Sequence, residues 1–274
     1  MPQFLIGLLV SFVALFALFA VLERLFPGIP GQRRFRRGMR TDVTYWFIYS
    51  PIGRVLGVVA GVAALLLVAP AFGVSIDGAS LRSWVHRETF ISAQPAWLQV
   101  LELLLIADLT GYWAHRAFHV EKHLWSYHAI HHSSMDLDWL SAVRQHPVND
   151  AAMTFVQALP LIILGFEPGA LAPFAVFLVL YAIFVHANLS WNFGWFRYVV
   201  ASPVFHRWHH TSELEGLNKN FAGLFPVFDM LFGTFYMPKD RQPRMFGVVG
   251  EEIPQGMLRQ LIYPFRKPGS AAIA

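Results

Sequence analysis

Residues 4–22 read FLIGLLVSFVALFALFAVL, a run with no charged side chain. As a helix, this stretch is long enough to cross the roughly 30 Å hydrocarbon core of a bilayer. A backbone in hydrocarbon has to satisfy its own N–H and C=O groups, which a helix does within one segment. The sequence therefore predicts an integral membrane protein that begins with a transmembrane helix.

Basic residues follow this first apolar stretch, whereas none precedes it. The absence of a basic residue before Phe4 disfavours a cleaved secretory signal. Basic loops tend to stay in the cytoplasm, so we expect the N-terminus outside and the basic run inside a bacterial inner membrane. The run comprises Arg24, Arg33, Arg34, Arg36, Arg37 and Arg40.

Four more apolar stretches follow, and the last two flank a Glu-Pro-Gly sequence at 167–169 that predicts a turn. The first arm of this hairpin is short and contains Pro160, so it is open whether 151–185 fully crosses the bilayer. We predict an all-α membrane bundle of about four to five transmembrane or re-entrant helices. The four stretches are 43–70, 97–113, 151–166 and 169–185.

The composition agrees with a membrane location. Hydrophobic residues make up 55% of the 274 residues and charged residues 14%, whereas soluble domains carry about 25% charged residues. The net charge of +4 comes from residues that cluster beside apolar stretches, which favours a membrane surface over nucleic acid as the partner. The chain has no cysteine, which excludes disulfides and thiolate-bound metal clusters.

Histidines recur at helical spacing in three motifs. Residues three or four apart share a helix face, so the histidines of such a pair can bind one metal ion. Two adjacent histidines point about 100° apart around a helix, so one HxxHH motif can serve two metals. If the third span ends inside, all of these histidines lie at the cytoplasmic surface and form a helical cap. The motifs are His115/His119, His128/His131/His132 and His206/His209/His210.

Eight imidazoles exceed the needs of one metal ion and suit two. A structural zinc site uses four ligands in a closed tetrahedron, which would leave half of these histidines without a role. Imidazole also suits Cu, Fe and Ni. A pair of irons uses all eight histidines and can activate O2, so we favour iron, although the ligand type alone does not exclude other metals.

The arrangement of these motifs resembles the fatty acid hydroxylase / sterol desaturase superfamily, over about residues 97–240. The resemblance implies a non-haem di-iron centre at the cytoplasmic ends of a small transmembrane bundle, which oxidises lipid C–H bonds with O2 and two electrons. It also implies three segments: N-terminal transmembrane helices (1–96), a di-iron catalytic domain (97–240) and a C-terminal tail (241–274). The matching motifs are His115-Arg116-x-x-His119, Leu124-Trp125-x-x-His128-x-x-His131-His132-Ser133-Ser134, His206-x-x-His209-His210, Asn220-Phe221 and Asp229-x-x-Phe232-Gly233-Thr234.

The resemblance also implies the roles of individual residues. It adds His186, which precedes the last triplet, as a ninth metal ligand beside the eight motif histidines. Asp229 and Asn220 could orient ligand imidazoles, and Asp229 could equally cap a helix. His146 matches a His-Pro pair of the family without an assigned role. Three residues are weaker candidates, His123 and His86 as ligands and Asp108 as a supporting group.

The electrons would come from another protein. The sequence has no Gly-rich dinucleotide loop and no cysteines for an iron–sulfur cluster, so we expect a ferredoxin-like or reductase partner at the cytoplasmic face. The lipid could be a sterol, a fatty acyl chain, an alkylglycerol or an amino-lipid, either hydroxylated or desaturated. The alternative function is a histidine-rich membrane protein that binds or transports metal without oxygenase activity. A basic docking surface, or lipid-headgroup contacts, would use Arg197, Arg207, Lys219, Lys239, Arg241 and Arg244.

Overall fold

The computed structural model describes residues 2–166 and 168–266, and its regular structure is helical with no β-strand in those ranges. A π-helical turn, Tyr45–Tyr49, joins α2 to α3 in one continuous helix that runs on to Phe72. The helices are α1 (Pro2–Leu25), α2 (Met39–Thr44), α3 (Ser50–Val68), α4 (Gly78–Val85), α5 (Ala96–Val120), α6 (Lys122–His132), α7 (Pro147–Leu164), α8 (Pro168–His186), α9 (Pro203–His209), α10 (Val227–Leu231) and α11 (Met257–Arg266).

Three helices among the described residues are long and apolar enough to cross a membrane: Gln3–Leu25, Met39–Phe72 and Pro147–Leu164. Their outer side chains are exposed, as expected for contact with lipid. Helix α5 has 25 residues but contains Glu102 and Asp108, and it is not one of the three. The predicted all-α membrane bundle is confirmed, with three candidate spans.

The hairpin between α7 and α8 turns earlier than the sequence predicts. Helix α7 ends at Leu164 and is capped by Gly165, whose φ of 81° lies in the left-handed region that favours glycine. Pro168 and Gly169 already belong to the first turn of α8, where proline fits because that position needs no N–H partner. Glu167 lies outside the described residues.

The long helices meet at one end of the bundle, and the short helices α6, α9, α10 and α11 cover that end. Helices α1, α5 and α8 finish there, whereas α2 and α7 begin there. At this end, Asn188 donates its backbone N–H to the Glu23 carboxylate at 2.9 Å, which joins α1 to the end of α8. At the opposite end, Arg87 donates to the backbone oxygen of Ile163 at 3.0 Å. The histidine motifs therefore meet at one end of the bundle.

A buried ion network fastens the start of the second span to the histidine-bearing end. Asp42 accepts hydrogen bonds from Arg36 at 2.7 Å and from Nε of Arg144 at 2.7 Å. Arg36 also binds Asp138, which caps the short helical turn Trp139–Val143. Arg36 is therefore a buried structural cation, and the exposed charge of the basic run comes from its other arginines.

Candidate metal centre

Four helices deliver the nine predicted histidines to one place. Helix α5 supplies His115 and His119 from its last turns, and α8 ends at His186. Helix α6 carries the first triplet in its last two turns. The second triplet lies on α9 and its C-terminal cap. Eight of the nine are buried, with His115 partly so, because the ends of these helices pack against each other.

The nine histidines divide into two adjoining clusters. In each cluster the potential ligand atoms all lie within 4.8 Å of one another. Adjacent histidines within a triplet fall into different clusters, as their angular separation predicts, and the His132 and His210 rings stack across the boundary at 4.3 Å. The five-histidine cluster is His115, His119, His128, His132 and His209; the four-histidine cluster is His131, His186, His206 and His210.

Hydrogen bonds fix the protonation of two imidazoles in the five-histidine cluster. Nδ1 of His115 lies 2.8 Å from the backbone oxygen of Phe221, and Nδ1 of His128 lies 3.0 Å from Oδ1 of Asn149. These oxygens only accept, so each Nδ1 carries the proton and each Nε2 of a neutral ring carries a lone pair. The two Nε2 atoms are 3.0 Å apart. Lone pairs at this distance repel unless both bind a cation.

The four-histidine cluster shows the same arrangement. Nδ1 of His131 lies 3.1 Å from the backbone oxygen of Arg144, which can only accept, and 3.1 Å from Nε2 of Gln145. Nδ1 of His186 donates to the backbone oxygen of Ala182 at 2.6 Å. The Nε2 atoms of these two histidines therefore face each other as lone pairs, at 3.1 Å. Nε2 of His206 lies 3.2 Å from that of His186. His131 and His186 thus present acceptor atoms to one point, and Nε2 of His206 lies beside it.

The protein environment keeps these imidazoles in their metal-binding form. Burial lowers the pKa of the six imidazoles of the two triplets well below the usual value, so they are neutral at pH 7. Neutral imidazole is the form that binds metals. Nε2 of His119 and of His209 is buried without a hydrogen-bond partner. Such orphaned acceptors are costly unless a ligand binds them.

The donor set fits two metal ions. Two nitrogens bound to one ion at about 2.1 Å and at right angles are about 3 Å apart, which agrees with the Nε2 separations of 3.0–3.2 Å. Four imidazoles alone would suit a tetrahedral zinc, but five exceed that geometry. The two clusters fit a di-iron centre.

Asn220 and Asp229 do not touch the imidazoles; they shape the loop that does. Asp229 accepts the backbone N–H groups of Phe221 and Ala222 at 2.7 and 2.9 Å. Asn220 has a φ of 59° and binds the backbone of Phe205 and Tyr236 through its side chain. These bonds position the Phe221 carbonyl, which orients His115. Asp229 caps no helix, because its carboxylate is used on this loop.

Asp108 holds the next part of the same loop. Its carboxylate accepts three backbone N–H groups, from Gly223 at 2.8 Å, Leu224 at 3.0 Å and Phe225 at 2.7 Å. These hydrogen bonds satisfy the Asp108 carboxylate, which would otherwise be costly beside a bilayer. Earlier in the same loop, the backbone oxygen of Lys219 accepts a hydrogen bond from Nδ1 of His209 at 2.9 Å. The sequence does not reveal the roles of the Phe221 and Lys219 carbonyls, because a residue of any type can supply a backbone carbonyl.

The remaining histidines lie outside both clusters. His146 caps α7: its Nδ1 accepts the backbone N–H of Val148 at 3.1 Å. Its Nε2 lies 3.2 Å from the backbone oxygen of Leu261 and so donates to α11. Both ring nitrogens of His146 thus bind backbone groups and neither binds a cluster imidazole. His146 therefore has a structural role and does not support the ligands. His123 is exposed on α6, and His86 follows α4 at the opposite end of the bundle.

A small cavity of ≈ 40 Å³ reaches the five-histidine cluster from the capped end. Its wall combines three cluster histidines with Trp125 and with the segment 247–249. The Trp125 ring lies 5.1 Å from that of His119 and 5.5 Å from that of His132. The five-histidine cluster therefore borders a small cavity at the capped end.

Residues 100–234 match the sequence model of the family described as fatty acid hydroxylase. All nine clustered histidines, Asn220 and Asp229 fall inside this range. The chain carries a fatty acid hydroxylase domain. The resemblance predicted from the motifs is thus confirmed.

Proteins of known function share this fatty acid hydroxylase domain. The ornithine lipid hydroxylase OlsE of Rhizobium tropici is 28% identical over 271 residues, which cover 96% of this chain and 77% of that protein. Alkylglycerol monooxygenases of Danio rerio and Homo sapiens are 32% and 33% identical. Those matches cover 53% and 47% of this chain but only 32% and 28% of the two relatives. No solved structure matches the chain.

Proposed function

We propose that the chain is an O2-dependent di-iron hydroxylase of a membrane lipid. The observation that carries this proposal is the pairing of bare Nε2 atoms in two adjoining clusters of a fatty acid hydroxylase domain. Bound irons would supply the redox chemistry: one atom of O2 enters a C–H bond, and the other leaves as water with two protons and two external electrons. All nine clustered histidines would be ligands.

The chain itself would hold and orient the metals and admit the lipid. Backbone carbonyls of Phe221, Lys219 and Arg144 set the tautomers of His115, His209 and His131, so each Nε2 is ready to bind. Such partners of the second ring nitrogen fix ring orientation in metal sites. The alternative, a metal transporter, would need ligands along a path through several spans. Here the ligands gather at one end of the bundle, and the domain family favours the hydroxylase.

Among lipid substrates, an amino-lipid is the first candidate. The similarity to ornithine lipid hydroxylase OlsE covers 96% of the chain, including the helices before residue 97. The alkylglycerol monooxygenases share about half of the chain, so an alkylglycerol ether is the second candidate. The similarity to OlsE is long enough to include the membrane helices that would contact the lipid.

An external one-electron donor would dock at the capped end. Arg197 and Arg207 are buried and cannot belong to the basic docking surface that the sequence predicts. Lys239, Arg241 and Arg244 instead line a cleft of ≈ 580 Å³.

Replacing Lys239 and Arg244 by glutamate should raise the KM for reduced ferredoxin, whereas Arg82→Glu at the opposite end should not. An unchanged KM would indicate that these residues contact lipid headgroups and do not bind the donor.

Lipid mass spectrometry tests the proposed function directly. Cells that contain ornithine lipids would express the chain, its His131→Ala variant or its His123→Ala variant under isotopically heavy O2. The native chain and the His123→Ala control should add one heavy oxygen atom to a lipid, and His131→Ala should not. Loss of two hydrogens would instead indicate desaturation. An unchanged lipid profile in cells supplied with iron and donor would contradict a lipid oxygenase.

A further inference from the structure

Helix α11 presents an apolar stripe that the bundle leaves exposed. Leu258 is 70% exposed, Ile262 45% and Phe265 64%. Their spacing of four and three residues places them on one face of the helix. Arg259 and Arg266 follow at about 80–100° around the helix axis from Leu258, so basic side chains flank the stripe. The helix is thus amphipathic, with a large apolar face beside a cationic edge.

The other face of α11 is packed, so the exposed stripe is not the result of a loose helix. Met257 and Tyr263 are buried in a cluster with Tyr45 and Tyr49. Gln260 is fully buried, and its Nε2 lies 3.4 Å from Oγ of Ser133. The helix therefore has a fixed orientation that turns Leu258, Ile262 and Phe265 outward.

The packing also fixes the level of α11 relative to the membrane. The backbone N–H of Gly256, just before the helix, donates to Oγ1 of Thr41 at 3.1 Å. Thr41 lies in the first turn of the candidate span Met39–Phe72, and Tyr45 and Tyr49 follow it. The exposed apolar side chains of this span begin at Ile48, about two helical turns after Thr41. Helix α11 therefore lies beside the point at which a span enters the bilayer.

We infer that α11 lies in the plane of the membrane–water interface and binds the lipid surface through Leu258, Ile262 and Phe265. Interfacial helices combine large apolar residues on one face with Lys or Arg at the polar boundary, which is the arrangement of α11. Anionic headgroups would bind Arg259 and Arg266. Ile48 and Ile52 of the adjoining span are also about half exposed. This inference does not depend on the metal centre.

The position of α11 also affects helix α6, because the two helices are joined by side-chain contacts. Gln260 contacts Ser133, the residue after the first histidine triplet, and the Leu261 carbonyl accepts from His146. A lipid surface that holds α11 in place would therefore also brace the C-terminal end of α6.

The alternative occupants of the apolar stripe are a second copy of the chain, a soluble partner, or residues 267–274 of the same chain.

Spin labels can separate these occupants, because the chain has no cysteine. Leu258→Cys and Ile262→Cys would each carry one nitroxide in the full chain, with one chain per nanodisc of phosphatidylcholine and phosphatidylglycerol. Power-saturation EPR would compare collisions with O2, which concentrates in lipid, and with a nickel chelate, which stays in water. Val10→Cys on α1 and Glu215→Cys in the cap, both exposed in the structure, serve as lipid and water references.

Both α11 labels should collide with O2 more than with the nickel chelate, as the Val10 label does. A preference for the nickel chelate, as at Glu215, would show that the stripe faces water or a partner absent from the nanodisc, and would overturn the inference. Shielding from both reagents would show that protein covers the stripe and would overturn it as well. Neither position is packed in the core, so both variants should fold.

Discussion

At the scale of single residues, the proton on each imidazole decides what the site can bind. A carbonyl behind Nδ1 leaves Nε2 bare, and this holds for His115, His131, His186 and His209. The histidines themselves were predictable, because their spacing is written in the sequence. The carbonyls were not, because they belong to the backbone and depend on how the loop 218–225 folds.

Removing one imidazole should affect the two clusters differently. His131→Ala leaves three imidazoles in its cluster and His209→Ala leaves four in the other, so the iron beside His131 should be lost more readily. We expect both variants to be inactive, with about one iron per chain in His131→Ala and a weakened second iron in His209→Ala. Iron analysis before and after mild chelation measures this. The control His123→Ala should match the native chain; two firmly bound irons in His131→Ala would contradict the cluster assignment.

Asp229 should act on the metal through the loop it holds. Burial raises the pKa of its carboxyl, yet the group accepts bonds from two backbone N–H groups and the Thr234 hydroxyl. Asp229→Asn would turn an N–H₂ toward these donors and shift the Phe221 carbonyl. We expect iron affinity to fall roughly 10–100-fold, with altered Mössbauer parameters for one iron. The exposed Glu215→Gln is the control, and unchanged chelator competition would exclude this positioning role.

At the scale of elements, apolar length predicted the long helices well and the short ones poorly. The stretches at 4–22 and 43–70 became α1 and the continuous helix Met39–Phe72. Helix α11 was missed because it is only ten residues long and Arg259, Gln260 and Arg266 interrupt its apolar side chains. The α7–α8 turn was misplaced because proline and glycine also suit the first turn of a helix.

The buried ion network should be essential for joining the second span to the cap. Asp42→Asn would leave the guanidinium groups of Arg36 and Arg144 buried with Asp138 as their remaining carboxylate. Breaking a buried pair in this way costs about 3–5 kcal/mol. We expect a clearly lower thermal midpoint in detergent and weaker iron retention, since the Arg144 carbonyl orients His131. Asp240→Asn at the surface is the matched control, and equal midpoints for the two variants would refute this.

At the scale of the whole molecule, the helices run so that every ligand-bearing end lies on one side. That arrangement followed from the sequence once the spans and the motif positions were known, because consecutive spans alternate in direction. The buried charges of Arg36 and Asp42 against the cap did not follow from it. They depend on contacts between segments about 100 or more residues apart, such as Arg36 with Asp138.

The cysteine-free chain also allows a test of its orientation. The exposed arginines after α1 predict that the capped end is cytoplasmic. A single cysteine at Glu215 should react with a membrane-impermeant maleimide only after the cells are opened. A single cysteine at Asp77, beside α4 at the opposite end, should react in intact cells. The reverse pattern would place the metal centre outside and contradict the proposed use of a cytoplasmic donor.

The number and kind of metals per chain test the central claim most directly. The chain would be purified from iron-replete cells, analysed for metals by mass spectrometry and examined by Mössbauer spectroscopy after enrichment with heavy iron. Nine imidazoles in two adjoining clusters predict about two irons per chain, magnetically coupled to each other. One zinc per chain, or no metal at all, would contradict the di-iron centre.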